Sequence, residues 1–166
     1  AIAQALVSWR AQHALRQRTA EMEAARSEAE SQRRRLEAIM EALPVGLCIT
    51  DAQGGVLQVN AAYDALWRGP RPTPNSVAEY ATYQAWWAES GDPVAPAEWA
   101  SAVASRRGST ILGQLLEIER FDGTHAFVMN SSAPIFDAAG NLVGAATAIQ
   151  DITELRRTEE ALRQQR

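Results

Sequence analysis

Apolar residues recur every three or four positions along the first quarter of the chain, which is the spacing of one face of a helix. From Ala11 to Leu43 there is no Gly or Pro, and the stretch ends at Pro44, which disfavours a helical residue before it. A seven-residue repeat runs back from Leu43, although small and polar members make it weak. We therefore predict a helix over residues 1–43 that forms a parallel dimeric coiled coil, with Leu15, Met22, Leu36, Ile39 and Leu43 in its seam. A solvated helix packed on its own domain is the alternative.

The middle of the chain alternates short strand patterns with helical ones. Gly54 and Gly55 form a hairpin turn between the first two strands, and Asn60 is placed to cap a short helix that runs to Trp67. Turns with Asp and Gly separate the last three strands. The pattern predicts an α+β domain with strands at 47–50, 56–59, 110–120, 124–133 and 142–150, and further helical segments at 77–89 and 97–107.

Composition limits the chemistry of the chain. Its 166 residues are 46% hydrophobic, enough for one domain of about a hundred residues plus two helical arms. All 16 basic residues are Arg, which excludes a P-loop and Schiff-base catalysis, and the net charge of −4 gives no reason to expect nucleic acid. The single cysteine, Cys48, excludes a disulfide scaffold and favours a reduced compartment. We find no catalytic motif and no metal-ligand spacing around His13 or His125.

The start of the chain has two interpretations. Residues 1–9 are almost wholly apolar and are followed by Arg10, Arg16 and Arg18. This is how the cytoplasmic end of a truncated transmembrane helix looks, and an amphipathic helix start looks the same. No complete membrane span is expected in these residues, because no run of about 20 apolar residues occurs. The prediction is a cytoplasmic chain, with an upstream inner-membrane segment left open.

Five short motifs occur in an order and spacing that resemble those of a PAS domain. They are Pro44-Val-Gly-Leu-Cys-Ile-Thr-Asp, Gly55-Val-Leu-Gln-Val-Asn-Ala-Ala-Tyr, Phe121-Asp-Gly-Thr, Ala133-Pro-Ile-Phe-Asp and Asp151-Ile-Thr-Glu. The resemblance covers about Leu36 to Glu154. It implies a five-stranded antiparallel sheet with helices on one face, a cavity of ligand size and a sensory or dimerising role, as in bacterial sensor proteins.

The resemblance also implies a role for Asp151, Ile152 and Thr153, which join the last strand to an output helix. Asp151 with Glu154 resembles a capping box, and Thr153 is placed to bond back to the sheet. A junction of this kind would turn a shift of the sheet into a movement of the helix. The alternative is that these residues only cap a helix.

The sequence mainly excludes ligands rather than naming one. Haem-binding relatives use a His in the helical region, and residues 77–107 contain none; blue-light relatives place a flavin-reactive Cys there, whereas Cys48 is on the first strand. The resemblance thus argues against haem and a covalent flavin, and the cofactor stays unknown. Aromatic side chains in the helical region either line a pocket or fill the core. The candidate ligand-binding residues are Trp67, Tyr83, Trp86, Trp87, Trp99, Met129 and Ser131.

The predicted organisation has three parts: a coiled-coil helix at 1–43, a PAS sensor domain at 44–154 and the start of an output helix at 155–166. We expect a non-enzymatic module that binds a small molecule or dimerises and signals to an effector, most often a histidine kinase in such proteins. The alternatives are a ligand-free dimerisation scaffold, or the sensor of a diguanylate cyclase or transcription factor.

Overall fold

A computed structural model describes residues 1–165, which form four α-helices, two 3₁₀ helices and six β-strands. The contacts divide the chain after Ala42 into two units. The α-helices are α1 (Ile2–Ala42), α2 (Ala61–Trp67), α3 (Ala100–Arg107) and α4 (Thr153–Gln164), and the 3₁₀ helices span Val77–Thr82 and Pro96–Glu98. The strands are β1 (Gly46–Asp51), β2 (Val56–Val59), β3 (Ala85–Trp87), β4 (Ile111–Glu119), β5 (His125–Phe136) and β6 (Leu142–Asp151).

Helix α1 is a single uninterrupted helix of 41 residues that buries none of its side chains. Pairs four residues apart, Arg26 with Glu30 and Arg33 with Glu37, form exposed ion pairs along it. The predicted seam residues Leu15, Met22, Leu36 and Ile39 are all exposed, as is Leu43, which follows the helix. A helix whose side chains are not buried gains little stability from packing.

The second unit is built on an antiparallel sheet with the strand order β2-β1-β6-β5-β4-β3. The alternation of the strands separates an inner face from an outer one. On β5, Ala126, Val128 and Asn130 point inward and are buried, whereas the positions between them point outward. The predicted α+β fold is confirmed, with one difference in the strand count.

The sixth strand, β3, lies in a segment predicted to be helical from Val77 to Glu89. Only Val77–Thr82 is helical there, as a 3₁₀ helix, and Ala85–Trp87 pairs with β4 in the register Ala85↔Ile118 to Trp87↔Leu116. A strand of three residues shows almost no alternation, and its partner is about thirty residues away along the chain. The five-strand prediction was wrong because tertiary pairing overrode the local pattern.

Helix α3 packs on β5 and β6 through small side chains. Ala100, Ala102 and Ala104 are almost completely buried, so the helix backbone lies close to the sheet. The inner face below carries polar groups that are paired with each other or with the backbone. Gln114 accepts from the Ala100 amide at 3.1 Å, and the Ser132 and Thr147 hydroxyls lie 2.9 Å apart. The part of the interior between α3 and the sheet is therefore polar, and its polar groups have hydrogen-bond partners.

Helix α4 follows β6 after the single residue Ile152. It begins at Thr153, the last residue of the Asp-Ile-Thr motif, and Arg166, the last residue of the predicted output segment, lies outside the described residues. The predicted capping box does not form. Ile152 is the N-cap and makes no side-chain cap hydrogen bond, because its side chain has no polar atom; the Asp151 carboxylate accepts from the Thr153 amide instead.

Candidate functional site

A cavity of about 40 Å³ lies among β2, α2, the loop that follows α2, the first 3₁₀ helix and the start of α3. Its walls are mostly aromatic. The short helix α2 contributes two of them because Tyr63 and Trp67 are four residues apart and share one helical face. The lining residues are Val56, Tyr63, Trp67, Pro74, Tyr80, Tyr83, Trp99 and Ser101.

Trp67 is the centre of the aromatic packing. It is 1% exposed, and its ring contacts Tyr83 edge-on at a centroid distance of 4.8 Å. Trp99 and Phe121 lie 6.3 Å and 5.9 Å from it in tilted arrangements. These edge-to-face and tilted geometries are the favourable ones for aromatic pairs. The four rings therefore form one continuous aromatic cluster.

Two tyrosine hydroxyls in the wall are tied to backbone carbonyls. Tyr80 donates to Gly54 at 2.7 Å, and Tyr83 donates to Pro72 at 2.6 Å. Burial raises the pKa of Tyr80 to about 12 and also raises the pKa of Tyr83. Both side chains are therefore neutral donors at physiological pH, and they attach the loops on two sides of the cavity to its wall.

The indole N–H groups of Trp67 and Trp99 differ from these hydroxyls. Neither has a hydrogen-bond acceptor in suitable geometry among the described residues, although both side chains are buried. Burial raises the pKa of Tyr63 well above its ordinary value, which keeps that neighbouring hydroxyl neutral as well. The cavity is therefore lined by apolar ring faces, and the two indole nitrogens are buried within the packed aromatic cluster.

Arg71 lies behind the tyrosines. Its Nε donates to the Asp64 carboxylate at 2.7 Å, and its guanidinium is 5.1 Å from the centre of the Tyr63 ring. Arg71 is not among the residues that line the cavity. Its charge is paired with Asp64, so the pair closes one side of the aromatic cluster without placing a free charge inside it.

The structure brings together three of the seven predicted ligand-binding residues, Trp67, Tyr83 and Trp99. Trp87 is half-buried against the core but does not line the cavity, and Trp86 stacks on His125 at 5.5 Å. Met129 and Ser131 point to the outer face of the sheet, because the inward positions of β5 are taken by Asn130 and Ser132. Those two residues are away from the cavity, and the prediction had left the phase of β5 open.

Sequence reasoning passed over several lining residues. Tyr63 could have been found from its spacing to Trp67, whereas Tyr80 is one of the aromatic residues of the helical region that the sequence analysis took either to line a pocket or to fill the core. Val56, Pro74 and Ser101 have no distinguishing signal, since they come from a strand, a loop and a helix start that only the fold brings together.

The junction between β6 and α4 is held by side chains of the Asp-Ile-Thr motif. One Asp151 carboxylate oxygen accepts from the Thr153 amide at 2.9 Å and from the Thr153 hydroxyl at 2.6 Å. The same hydroxyl oxygen accepts from the Phe127 amide on β5 at 3.0 Å. Thr153 therefore bonds back to the sheet, which fixes the start of α4 to a neighbouring strand.

Arg120 joins this junction to the wall of the cavity. Its side chain is 8% exposed, and its Nε donates to the Leu66 carbonyl at 2.9 Å while one terminal nitrogen donates to Asp151 at 2.7 Å. Leu66 directly precedes Trp67, and the Phe121 amide donates to the Trp67 carbonyl at 2.9 Å. Nothing in the sequence signals that this arginine is buried, so the prediction missed it.

Ion-pair and hydrogen-bond partners also set the charge state of Asp151. Burial works to raise its pKa, but the bonds from the Thr153 hydroxyl and amide and the Arg120 guanidinium outweigh that effect, so the pKa is lowered. Asp151 is therefore an anion throughout the physiological range, and the link to Arg120 is a charge-assisted one.

Cys48, the single cysteine of the chain, is buried on β1. Within residues 1–165 no group of three or more His, Cys, Asp and Glu side chains is placed to hold a metal ion. Burial raises the pKa of the Cys48 thiol to about 11, so it is not a reactive thiolate. Among the helices of the described residues, none is long and apolar enough to cross a membrane.

Comparison with known proteins places these features in a family. A family model described as the PAS fold matches residues 40–157. No curated protein matches the chain significantly.

Three solved structures illustrate the likeness in fold. The PAS domain of BvgS from Bordetella pertussis is 19% identical with a TM-score of 0.53, covering 82% of this chain and 99% of that domain. The PAS domain of an HTR-like protein from Haloarcula marismortui is 17% identical with a TM-score of 0.51, covering 78% of this chain and 99% of that domain. VqmA from Vibrio cholerae, a LuxR-type receptor, is 16% identical with a TM-score of 0.52, covering 71% of this chain and 50% of the receptor.

Proposed function

The chain belongs to the PAS family, and we propose that it is a sensory module which binds a small molecule in its aromatic cavity and transmits the change through Asp151, Ile152 and Thr153 to a downstream effector. PAS domains are signalling modules. We assign ligand binding to the residues that line the cavity and transmission of the signal to the three junction residues. The effector is proposed to be a histidine kinase, with a diguanylate cyclase or a transcription factor as the alternatives.

The observation that carries the proposal is the double contact of Arg120. One side chain holds the Leu66 carbonyl, next to the cavity residue Trp67, and the Asp151 carboxylate at the start of the output helix. A ligand that displaces the Trp67 ring would move the α2 backbone and so change the position that Arg120 prefers. A contiguous chain of hydrogen bonds of this kind is a physical route between two sites.

Dimerisation through α1 is the second part of the proposal. The helix exposes Leu15, Met22, Leu36 and Ile39 at heptad-compatible spacing, and exposed apolar side chains at this spacing gain burial when a second copy packs in parallel. In a dimer, the rotation or tilt of α4 would select between two packings of the paired output helices. We also propose a cytoplasmic location, with an upstream membrane segment left as an alternative.

A ligand-free relay is the other candidate function, and the size of the cavity favours it. A volume of about 40 Å³ holds only a few water-sized groups. A PAS domain with so compact an interior would serve as a dimerisation scaffold that passes on the movement of an upstream helix. Whether the protein binds a small molecule distinguishes the sensory function from the ligand-free relay.

Native mass spectrometry of the purified chain tests the proposal first, because one spectrum reports the subunit count and any retained molecule. A dimer with additional non-covalent mass supports sensing, and an empty dimer favours the relay. Pulsed electron-spin distance measurements between labels on paired α4 helices then compare the loaded and empty states. Arg120→Gln should abolish a ligand-dependent change in distance, while the exposed Arg163→Gln serves as the matched control. Unchanged coupling in Arg120→Gln would contradict the proposed route.

A further inference from the structure

The loop between α2 and the first 3₁₀ helix covers one side of the cavity. Residues 69–75 of this loop, which we call the strap, form no helix or strand. Within the strap, Pro74 is buried and lines the cavity, whereas Pro70 and Thr73 are exposed. The strap therefore lies between the cavity and the solvent.

Two carbonyls of the strap are bonded to residues of the cavity wall. The Pro72 carbonyl accepts from the Tyr83 hydroxyl at 2.6 Å, and the Pro74 carbonyl accepts from the Val56 amide at 2.8 Å. Tyr83 and Val56 both line the cavity. An outward movement of the strap would break these two bonds and uncover both residues.

Arg71 attaches the strap to α2. Its Nε donates to the Asp64 carboxylate at 2.7 Å, an ion pair that we call the latch, and its guanidinium lies 5.1 Å from the centre of the ring of Tyr63, which also lines the cavity. The Arg71 side chain is 11% exposed and that of Asp64 is 59% exposed. Ion pairs with one partner this exposed contribute modestly to stability. An outward movement of the strap would return the guanidinium to water, so opening the latch leaves no unpaired charge in the interior.

The sequence prevents the strap from becoming a fixed strand. Its Pro74 carbonyl is bonded to β2, which is the edge strand of the sheet. Pro70, Pro72 and Pro74 occupy every second position of the strap. Proline has no N–H, so the strap cannot build a regular ladder of hydrogen bonds on that edge. It is held by a few separate bonds and can leave β2 without unpairing a strand.

The start of the strap has the backbone of a hinge. Arg68 has a φ of +48° and Gly69 has a φ of +105°. Within residues 1–165, Arg68 is the one residue other than glycine with a positive φ. Strained residues of this kind occur preferentially at switch segments and ligand clamps. A rotation at these two residues would move the strap and relieve the strain at Arg68.

We propose that the strap is a gate, hinged at Arg68 and Gly69 and latched by Arg71 on Asp64, through which a small molecule enters the cavity. The inference rests on the proposed sensory function and adds the entry route to that same cavity. The gate sets how fast a molecule enters and leaves, whereas the closed cavity sets how tightly the molecule is held.

Hydrogen exchange of the Val56 amide in the full chain measures opening of the strap, because this N–H is donated to the Pro74 carbonyl. Asp64→Asn weakens the latch and should accelerate the exchange about fivefold. The Ile149 amide on the inner strand β6 is the internal reference and should keep its wild-type rate. Glu30→Gln removes an exposed ion pair on α1 and should change neither rate. Equal Val56 rates in wild type and Asp64→Asn, or equal acceleration of both amides, would overturn the gate.

A pair of tyrosine variants tests the second attachment of the strap. Tyr83→Phe removes the donor to the Pro72 carbonyl and should also accelerate exchange of the Val56 amide about fivefold. Tyr80→Phe is the matched control, because its hydroxyl bonds to the Gly54 carbonyl, outside the strap, and it should accelerate the exchange less. Acceleration by Tyr80→Phe that equals or exceeds that of Tyr83→Phe would contradict the role of the strap.

Xenon tests whether opening of the strap admits a molecule. It is an apolar atom that enters small apolar cavities, and xenon saturation-transfer spectra report its entry and exit rates. Asp64→Asn should raise both rates about fivefold and leave the dissociation constant unchanged, because a gate alters the barrier and not the closed cavity. A variant with a changed dissociation constant and a wild-type entry rate would show that Asp64 shapes the cavity instead, and would overturn the gate.

The outcomes also separate the gate from the proposed function. If xenon or a retained molecule occupies the cavity while Asp64→Asn changes neither the xenon rates nor exchange at Val56, the gate is overturned and sensing stands. If exchange at Val56 accelerates as expected but neither xenon nor any retained molecule occupies the cavity, the sensory function and the entry route are overturned together, and the relay remains.

Discussion

The Arg120 guanidinium donates to the Asp151 carboxylate at 2.7 Å, and this contact joins the end of β4 to the end of β6 just before α4. Arg120 is nearly buried, while Asp151 keeps 40% of its side chain exposed. The ion pair is therefore neither fully exposed nor fully desolvated. It contributes to stability and also fixes the end of β4 relative to the end of β6.

The first prediction concerns pH and the Asp151 carboxylate. Because its pKa is lowered in the folded protein, the unfolded chain takes up the proton more readily, so the stabilisation is fully present above the ordinary Asp pKa of about 3.9 and is lost as the pH falls through the lower folded pKa. Asp151→Asn should cost about 1 kcal/mol near neutral pH, and the difference from the wild type should shrink below about pH 4. Urea unfolding from pH 7 to pH 3 measures it.

Asp92→Asn is the control for this series, because Asp92 is exposed in the loop after β3. Its difference from the wild type near neutral pH should be smaller than that of Asp151→Asn. A gap between wild type and Asp151→Asn that stays constant down to pH 3 would show that the charge of Asp151 does not support the junction.

The second prediction isolates the Thr153 hydroxyl. Thr153→Val removes the acceptor for the Phe127 amide and the donor to Asp151, and it should destabilise the protein by about 1–2 kcal/mol. Amide hydrogen exchange at Phe127 should accelerate, because that N–H loses its partner. Thr158→Val is the matched control: its hydroxyl bonds only to the Glu154 carbonyl within exposed α4, so the change should be below about 0.5 kcal/mol. Equal effects at the two positions would contradict the role of Thr153.

The third prediction compares two glycines that share a positive φ. A Cβ on Gly54 would lie 2.5 Å from Val77 Cγ2 and 3.0 Å from the Tyr80 hydroxyl oxygen, whereas a Cβ on Gly91 would meet nothing within 4 Å. Both alanine variants bear the backbone strain of about 1 kcal/mol, and Gly54→Ala should cost about 1–3 kcal/mol more because it overpacks the cavity wall. Thermal and urea unfolding of the two variants give the comparison. A similar loss of stability in both variants would mean that the residues around Gly54 can shift to accommodate the added methyl group.

The fourth prediction tests Trp67 as the centre of the aromatic cluster. Trp67→Ala should lower the free energy of unfolding by about 4 kcal/mol, because it removes a fully buried ring and its contacts with Tyr83, Trp99 and Phe121. Leu112→Ala, at a site 80% exposed, is the control and should change stability by less than about 0.5 kcal/mol. A loss under about 1 kcal/mol at Trp67 would show that the core closes around the missing ring.

The fifth prediction addresses the dimer seam on α1. Leu36→Arg combined with Ile39→Arg places two charges in the proposed interface and should weaken self-association by at least about tenfold in sedimentation equilibrium. Ala38→Arg adds a charge on the opposite side of the same helix and should leave association unchanged. A wild-type chain that stays monomeric at all concentrations would overturn the coiled-coil proposal.

Several parts of this protein follow from local sequence. The long helix was predictable because residues 11–43 contain no breaker, and the Asn60 cap was predictable because its side chain accepts from an amide three residues away, Tyr63, at 3.0 Å. The hairpin turns follow from Asp and Gly at positions that need them. The Asp-Ile-Thr motif likewise marks the start of α4, because its hydrogen bonds join residues only two or three positions apart.

Other parts of the structure depend on contacts between segments that are far apart in the sequence. The strand β3 exists because β4 offers an edge to pair with, and the inward phase of β5 is set by its register on β4 and β6, which turns Met129 outward and Asn130 inward. The burial of Arg120 between Leu66 and Asp151 depends on three segments at once. By itself the sequence determined α1, α2, the hairpin turns and the family, because those depend on short-range hydrogen bonds and spacing. The tertiary structure decided which aromatic rings enclose the cavity and what connects it to α4, because those contacts join residues far apart in the chain.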